Sequence, residues 1–129
     1  MTWDNSDLSS DTIYQDGTFG FLFTASGNLH RGQAVKIIAN NTVTSSILGS
    51  NGIGICDHNS YHGEECTIYL PGNITMACSP ESITSGKLLY ASSNGYVSEG
   101  RYSSERPMAI SVSDFETVNT NKVGRVLLI

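Results

Sequence analysis

The chain has 129 residues, only 15% of them charged, with a formal net charge of −5. That length supports one hydrophobic core of useful size. An acidic chain without a Lys/Arg cluster excludes a phosphate-neutralising nucleic-acid surface and attraction to anionic membrane, and no stretch approaches the roughly 20 apolar residues of a membrane-spanning helix.

Residues 1–16 are almost wholly polar, with isolated Trp3, Leu8, Ile13 and Tyr14. Such a segment buries too little apolar surface to offset its ordering entropy, so it reads as a flexible arm preceding a single β domain over 17–129. Trp3 and Tyr14 are candidate anchors for an arm that orders on a partner. Met1-Thr2-Trp3-Asp4 lacks the basic start and apolar core of a secretory leader. Synthesis in a cytoplasm is therefore expected, with the three cysteines reduced.

From Gly17 to Thr24, Phe19, Phe21 and Phe23 alternate and share one face. They form either a core strand or an aromatic strand that docks on another subunit. Next, Gln33 to Ala39 reads as a strand with Val35, Ile37 and Ala39 inward and Lys36 outward. Asn40-Asn41 turns the chain into a β-branched run from Thr42 to Leu48, and Ile53 to Cys56 follows, where Gly54 signals a close approach or a bulge.

Alternation is clearest around Pro71-Gly72-Asn73. Cys66, Ile68 and Leu70 lie on one face before the turn, and Ile74, Met76 and Cys78 on one face after it. The pattern predicts an antiparallel hairpin with Leu70 opposite Ile74, Ile68 opposite Met76 and Cys66 opposite Cys78. Ser79-Pro80-Glu81 carries helix-start chemistry, but Gly86 limits it to a single turn. Lys87 to Ala91 is a strand, and Asn94-Gly95 returns the chain through Tyr96-Val97. Glu99 to Arg106 is a charged loop, and Met108–Val112 and Val123–Ile129 complete the strands.

The fold class is therefore all-β, a small antiparallel barrel or sandwich. A faint internal echo supports it. Gly32-Gln-Ala-Val, Ile53-Gly-Ile-Cys and Gly63-Glu-Glu-Cys-Thr-Ile are matched, 54, 55 and 61 residues on, by Gly86-Lys-Leu-Leu, Met108-Ala-Ile-Ser and Gly124-Arg-Val-Leu-Leu-Ile. Two such halves can close on each other.

Among chemical constellations, Cys56, His58, His62 and Cys66 are zinc-type ligands. Cys66 however carries the inward phase of its strand, and the C-x-x-C knuckle of structural zinc sites is missing, so no metal is expected. Asp57 beside Cys56 disfavours a thiolate. The paired acids Glu64-Glu65 and Asp114/Glu116 lie without an aromatic cleft, and no nucleophile elbow or phosphate loop is present. No enzymatic activity and no cofactor are expected.

Six segments, in order, carry a resemblance. They are Leu29-His30-Arg31-Gly32-Gln33-Ala34-Val35-Lys36, Gly52-Ile53-Gly54-Ile55-Cys56-Asp57, Gly63-Glu64-Glu65-Cys66-Thr67-Ile68, Ile83-Thr84-Ser85-Gly86-Lys87-Leu88-Leu89-Tyr90, Arg106-Pro107-Met108-Ala109-Ile110-Ser111 and Val123-Gly124-Arg125-Val126-Leu127-Leu128. Their order over about residues 29–129 resembles the head decoration, or cement, proteins of tailed bacteriophages. Gln33 and Lys87 replace the acidic residue usual there, and Met108-Ala109 replaces Ile-Gly. The resemblance implies a β fold with a mobile arm, a homotrimer, and a place on the exterior of the virion capsid, bound to the major capsid protein. On this reading Trp3, Tyr14, Phe19, Phe21 and Phe23 contact the capsid. The alternative is a carbohydrate- or receptor-binding module of a virion spike or fibre, using Tyr61, Tyr69, Tyr96 and Tyr102.

Overall fold

A computed structural model describes residues 20–129. The whole predicted arm, with Trp3 and Tyr14, and Phe19 of the predicted first strand lie outside the described residues. Strands β1 (Gly20–Ala25), β2 (Ala34–Ala39), β3 (Thr42–Ser45), β4 (Gly54–Cys56) and β5 (Glu65–Tyr69) close a barrel in the order β1-β3-β2-β4-β5. All neighbours are antiparallel except β1 and β3, which run parallel. Strands β6 (Ile74–Ser79), β7 (Leu88–Ala91), β8 (Val97–Ser98), β9 (Ala109–Ser111), β10 (Glu116–Val118) and β11 (Asn121–Leu128) form a second, open sheet. The fold is all-β. Among the described residues its one helical piece is a 3-10 turn at Ser93–Gly95, where Asn94 and Gly95 take φ of 56° and 75° and join β7 to β8 as the Asn-Gly signal predicts.

The echo between halves is structural. Val35 opposite Gly54 recurs as Leu89 opposite Ala109, and Cys56 opposite Ile68 as Ser111 opposite Val126. Phe21 opposite Ile68 recurs as Thr75 opposite Val126, and Ile37 opposite Val43 as Ala91 opposite Val97. Equivalent residues lie 54 apart for β1 to β3, 55 for β4 and 58 for β5. The sequence match at 61 is thus three residues out of register. Loop hydrogen bonds repeat as well. Gly32 N donates to Cys56 O at 2.9 Å and Gly86 N to Ser111 O at 2.7 Å, both glycines at positive φ.

The halves differ at one seam. In the first, Ser26 N donates to Val43 O and Thr24 N to Asn41 O, which ties β1 to β3. The residue equivalent to Ser26 is Pro80, which has no N–H to give. β6 does not pair with β8, and the second barrel stays open.

The first barrel fills the opening. Along β2, β4 and β5, one phase (Val35, Cys56, Ile68) packs inside the first barrel with Leu29 and Val43. The other phase (Ala34, Ile55, with Tyr69 against them) packs into the second core with Ile83, Leu89, Val97, Val126 and Leu128. These strands are a wall between two cores, so both faces are apolar.

Four sequence expectations are corrected. β5 and β6 form no hairpin: β5 pairs β1 and β4, while β6 pairs β11, so Pro71-Gly72 carries the chain from one sheet to the other. On β6 the buried face is Thr75, Ala77 and Ser79, and Met76 is exposed, because large residues from elsewhere already fill that core. On β2, Val35 is inward but Ile37 and Ala39 are exposed at the barrel's end, where a bulge between Ile37 and Ala39 also breaks the alternation. Ser79-Pro80 makes a bend without a helical turn, although Ser79 Oγ accepts from Glu81 N at 3.2 Å.

Candidate interaction surface

Phe23, in the interior phase of β1, packs on the first core. Phe21 shares that phase, being opposite buried Ile68, yet is 58% exposed. Ile37, opposite buried Val43, is likewise interior in phase and 55% exposed. The equivalent residues of the second half, Thr75 and Ala91, are small and only 7% and 2% exposed. One end of the first barrel therefore carries two large apolar side chains whose inward direction meets no cover among the described residues. Leu22 and Ile38, also exposed, extend the apolar surface around the outside. Thr24 N bonding Asn41 O holds β1 beside the β2–β3 turn, which brings the two pairs to the same end of the barrel.

Of the five predicted contact residues, the structure places Phe21 on this surface and turns Phe23 mostly into the core. Leu22, Ile37 and Ile38 escape the sequence reading. The signal was the Ile37-Ile38 doublet, which breaks strict alternation just before Asn40-Asn41.

The zinc-type residues do not converge. Cys56 Sγ donates to His58 O at 2.9 Å, Cys66 Sγ points to Phe23 O at 3.5 Å, and His62 Nδ1 accepts from Gly27 N at 2.8 Å. Among the described residues no group of three or more His, Cys, Asp or Glu side chains gathers as a metal cage. Burial, with the neighbouring Cys66 and Asp57 adding to it, pushes the Cys56 thiol up to about 11 despite the hydrogen bond to His58, and burial also raises Cys66 and Cys78. These are protonated, poorly nucleophilic thiols at neutral pH.

The four tyrosines split two and two. Tyr69 Oη donates to Asp57 Oδ1 and Tyr96 Oη to Asn121 Oδ1, both half-buried. Tyr61 and Tyr102 are exposed. Tyr102 lies over Gly49, and its loop is built on Glu105. Covering by the loop pushes the Glu105 carboxyl up, but the amides of Ser103 and Tyr102, at 2.7 and 3.0 Å, outweigh it and hold the group below its usual range.

A solved structure shares this architecture. The N base of head fiber gp8.5 of bacteriophage phi29 superimposes with a TM-score of 0.66, covering 86% of this chain and 93% of that one at 9% identity. No protein-family model and no curated protein matches the chain.

Proposed function

We propose that the protein is a structural component of a phage head that binds the outside of the icosahedral shell and stabilises it. The observation that carries this reading is the fold shared with a head-fiber base. The ordered motifs that resemble decoration proteins, and the uncovered barrel end beside the start of β1, agree with it.

The mechanism is adhesion without turnover. Packed DNA presses outward, and a protein bridging neighbouring copies of the major capsid protein adds contacts that must break before the shell ruptures. Phe21, Leu22, Ile37 and Ile38 are each about half exposed. Covering them supplies roughly 1 kcal/mol apiece, a weak contact that many copies on one lattice multiply. Trp3, Tyr14 and Phe19 precede this surface in the chain and are assigned to the same contact.

The test uses purified heads lacking the protein. Wild type is expected to co-sediment saturably, while a variant lacking residues 1–16 or carrying Phe21→Asp with Ile38→Asp stays in the supernatant with unchanged circular dichroism. Undiminished binding by both variants rejects the contact surface, and failure of wild type to bind rejects the function. The same likeness favours a second reading, the base or module of a head fibre that recognises a receptor or glycan. Binding to a glycan array through Tyr61 and Tyr102, together with few copies per virion, would select it.

A further inference from the structure

Strand β1 is paired on one side only for most of its length. On the β5 side it is matched from Gly20 to Thr24, whereas β3 reaches only Thr24 and Ala25 on the other. The hydrogen bonds fix which residues face which side. Ala25 N donates to Glu64 O toward β5, while Thr24 N donates to Asn41 O and Ser26 N to Val43 O toward β3. Successive residues of a strand alternate in this respect, so the N–H and C=O of Gly20 and Leu22 point to the β3 side. Among the described residues no strand stands there. This open edge is also apolar. Phe21 is 58% and Leu22 62% exposed, one on each face of the strand, with Ile37 and Ile38 exposed at the same end of the barrel. Unpaired backbone groups flanked by apolar side chains are a template for one more strand.

We propose that residues 11–15 of this chain supply that strand, turning back at Asp16-Gly17 to pair antiparallel with β1. Three observations select this occupant. The first is place: the chain ahead of Gly20 is 19 residues long, and its nearest part reaches the edge through the shortest connection an antiparallel pair allows, for which Asp-Gly is a preferred turn. The second is phase. A two-residue turn at Asp16-Gly17 makes Gln15 and Thr18 exchange both hydrogen bonds, and the next bonded pairs are Ile13 with Gly20 and Asp11 with Leu22. Gly20 and Leu22 are the residues whose backbone groups β5 leaves unused. The third is composition. Asp11, Thr12 and Gln15 make the added strand polar where β1 is apolar, which is how sheets end safely.

The pairing sets Tyr14 opposite Phe19 and Thr12 opposite Phe21 in the non-bonded pairs, where facing side chains are closest. Tyr14, Phe19 and Phe21 then share one face at the barrel end. The start of the folded domain moves from residue 17 to Asp11, and residues 1–10, with Trp3, stay outside the pairing. The inference does not depend on what the barrel end binds.

So short a strand barely registers in the circular dichroism of the whole chain, so NMR of the full chain tests it. In wild type, Hα–Hα contacts are expected between Tyr14 and Phe19 and between Thr12 and Phe21. The Leu22 amide should exchange at least ~10-fold more slowly than in Gly17→Val, whose β-branched side chain resists the positive φ of the turn. Phe21 and Phe23, facing β5, keep their protection in both. Asp16→Asn, which suits the same turn, keeps the contacts. A segment resting only on side chains cannot produce this alternation along β1. Absence of the two contacts, equal Leu22 exchange in wild type and Gly17→Val, or contacts that run between labelled and unlabelled chains in a mixed sample each overturns the proposal. The last result would give the strand to a second copy.

Discussion

Cys56 shows how a residue that looks chemical becomes structural. It sits on a strand between two cores, its thiol hydrogen-bonded to a backbone carbonyl, and burial raises it to about 11 from 9.0. Because the folded state holds this proton more tightly than the unfolded state, the thiol's contribution to stability is complete below about pH 9 and is lost as pH rises toward about 11. Urea midpoints measured across this window are expected to fall with pH, and to fall less in Cys56→Ser. Ser60 is the opposite case. Its backbone bridges Leu29 in both directions, at 2.8 and 2.9 Å, but its buried hydroxyl has no hydrogen-bond partner among the described residues. Ser60→Ala therefore removes a desolvated polar group and no bond, and should be neutral or stabilise by up to about 1 kcal/mol in urea unfolding.

At the level of elements, the halves solve one packing problem with swapped sizes. Ser60 and Cys66 in the first half correspond to Phe115 and Gly124 in the second. Phe115 lies on Gly124, where an added Cβ would fall 2.1 Å from the ring. Gly124→Ala is expected to cost about 1–3 kcal/mol in unfolding free energy, and combining it with Phe115→Leu should cost less than the two single changes summed. This swap also explains what the sequence could not convey. Alternation around Pro71-Gly72 reveals that β5 and β6 have two faces each, but not which strands they pair with. The inward side of β6 is its small side, since Phe115 and the first barrel's Ile55 fill the second core from other elements. β10 was missed because Glu116-Thr117-Val118 offers a single apolar residue and all three positions are exposed. Strands with strong local pattern, and the Asn94-Gly95 turn, were legible, because one face of each meets a core and the turn needs positive φ. The exposed barrel end was half legible: the alternating phenylalanines mark Phe21, but exposure there depends on what stands opposite.

For the whole molecule, the two halves are unequal. The first barrel closes through β1 and β5 and contains its own core, whereas the second borrows Ala34, Ile55 and Tyr69 from it. Residues 20–71 alone are expected to give the circular dichroism of a β protein while binding a hydrophobic dye. Residues 72–129 alone should stay unfolded, and adding them to the first fragment should suppress the dye signal. Two independent folded fragments would contradict the borrowed core.

That borrowing gives the molecule a direction in time. Translation runs from the N-terminal side, so every partner needed to close the first barrel has left the ribosome once Tyr69 has, while the strand that completes its cover ends only at Leu128. For the interval between, a nascent chain displays a greasy wall that later becomes its interior. The protein thus carries its own template for the second half, together with a brief window of vulnerability to aggregation that slower elongation would lengthen.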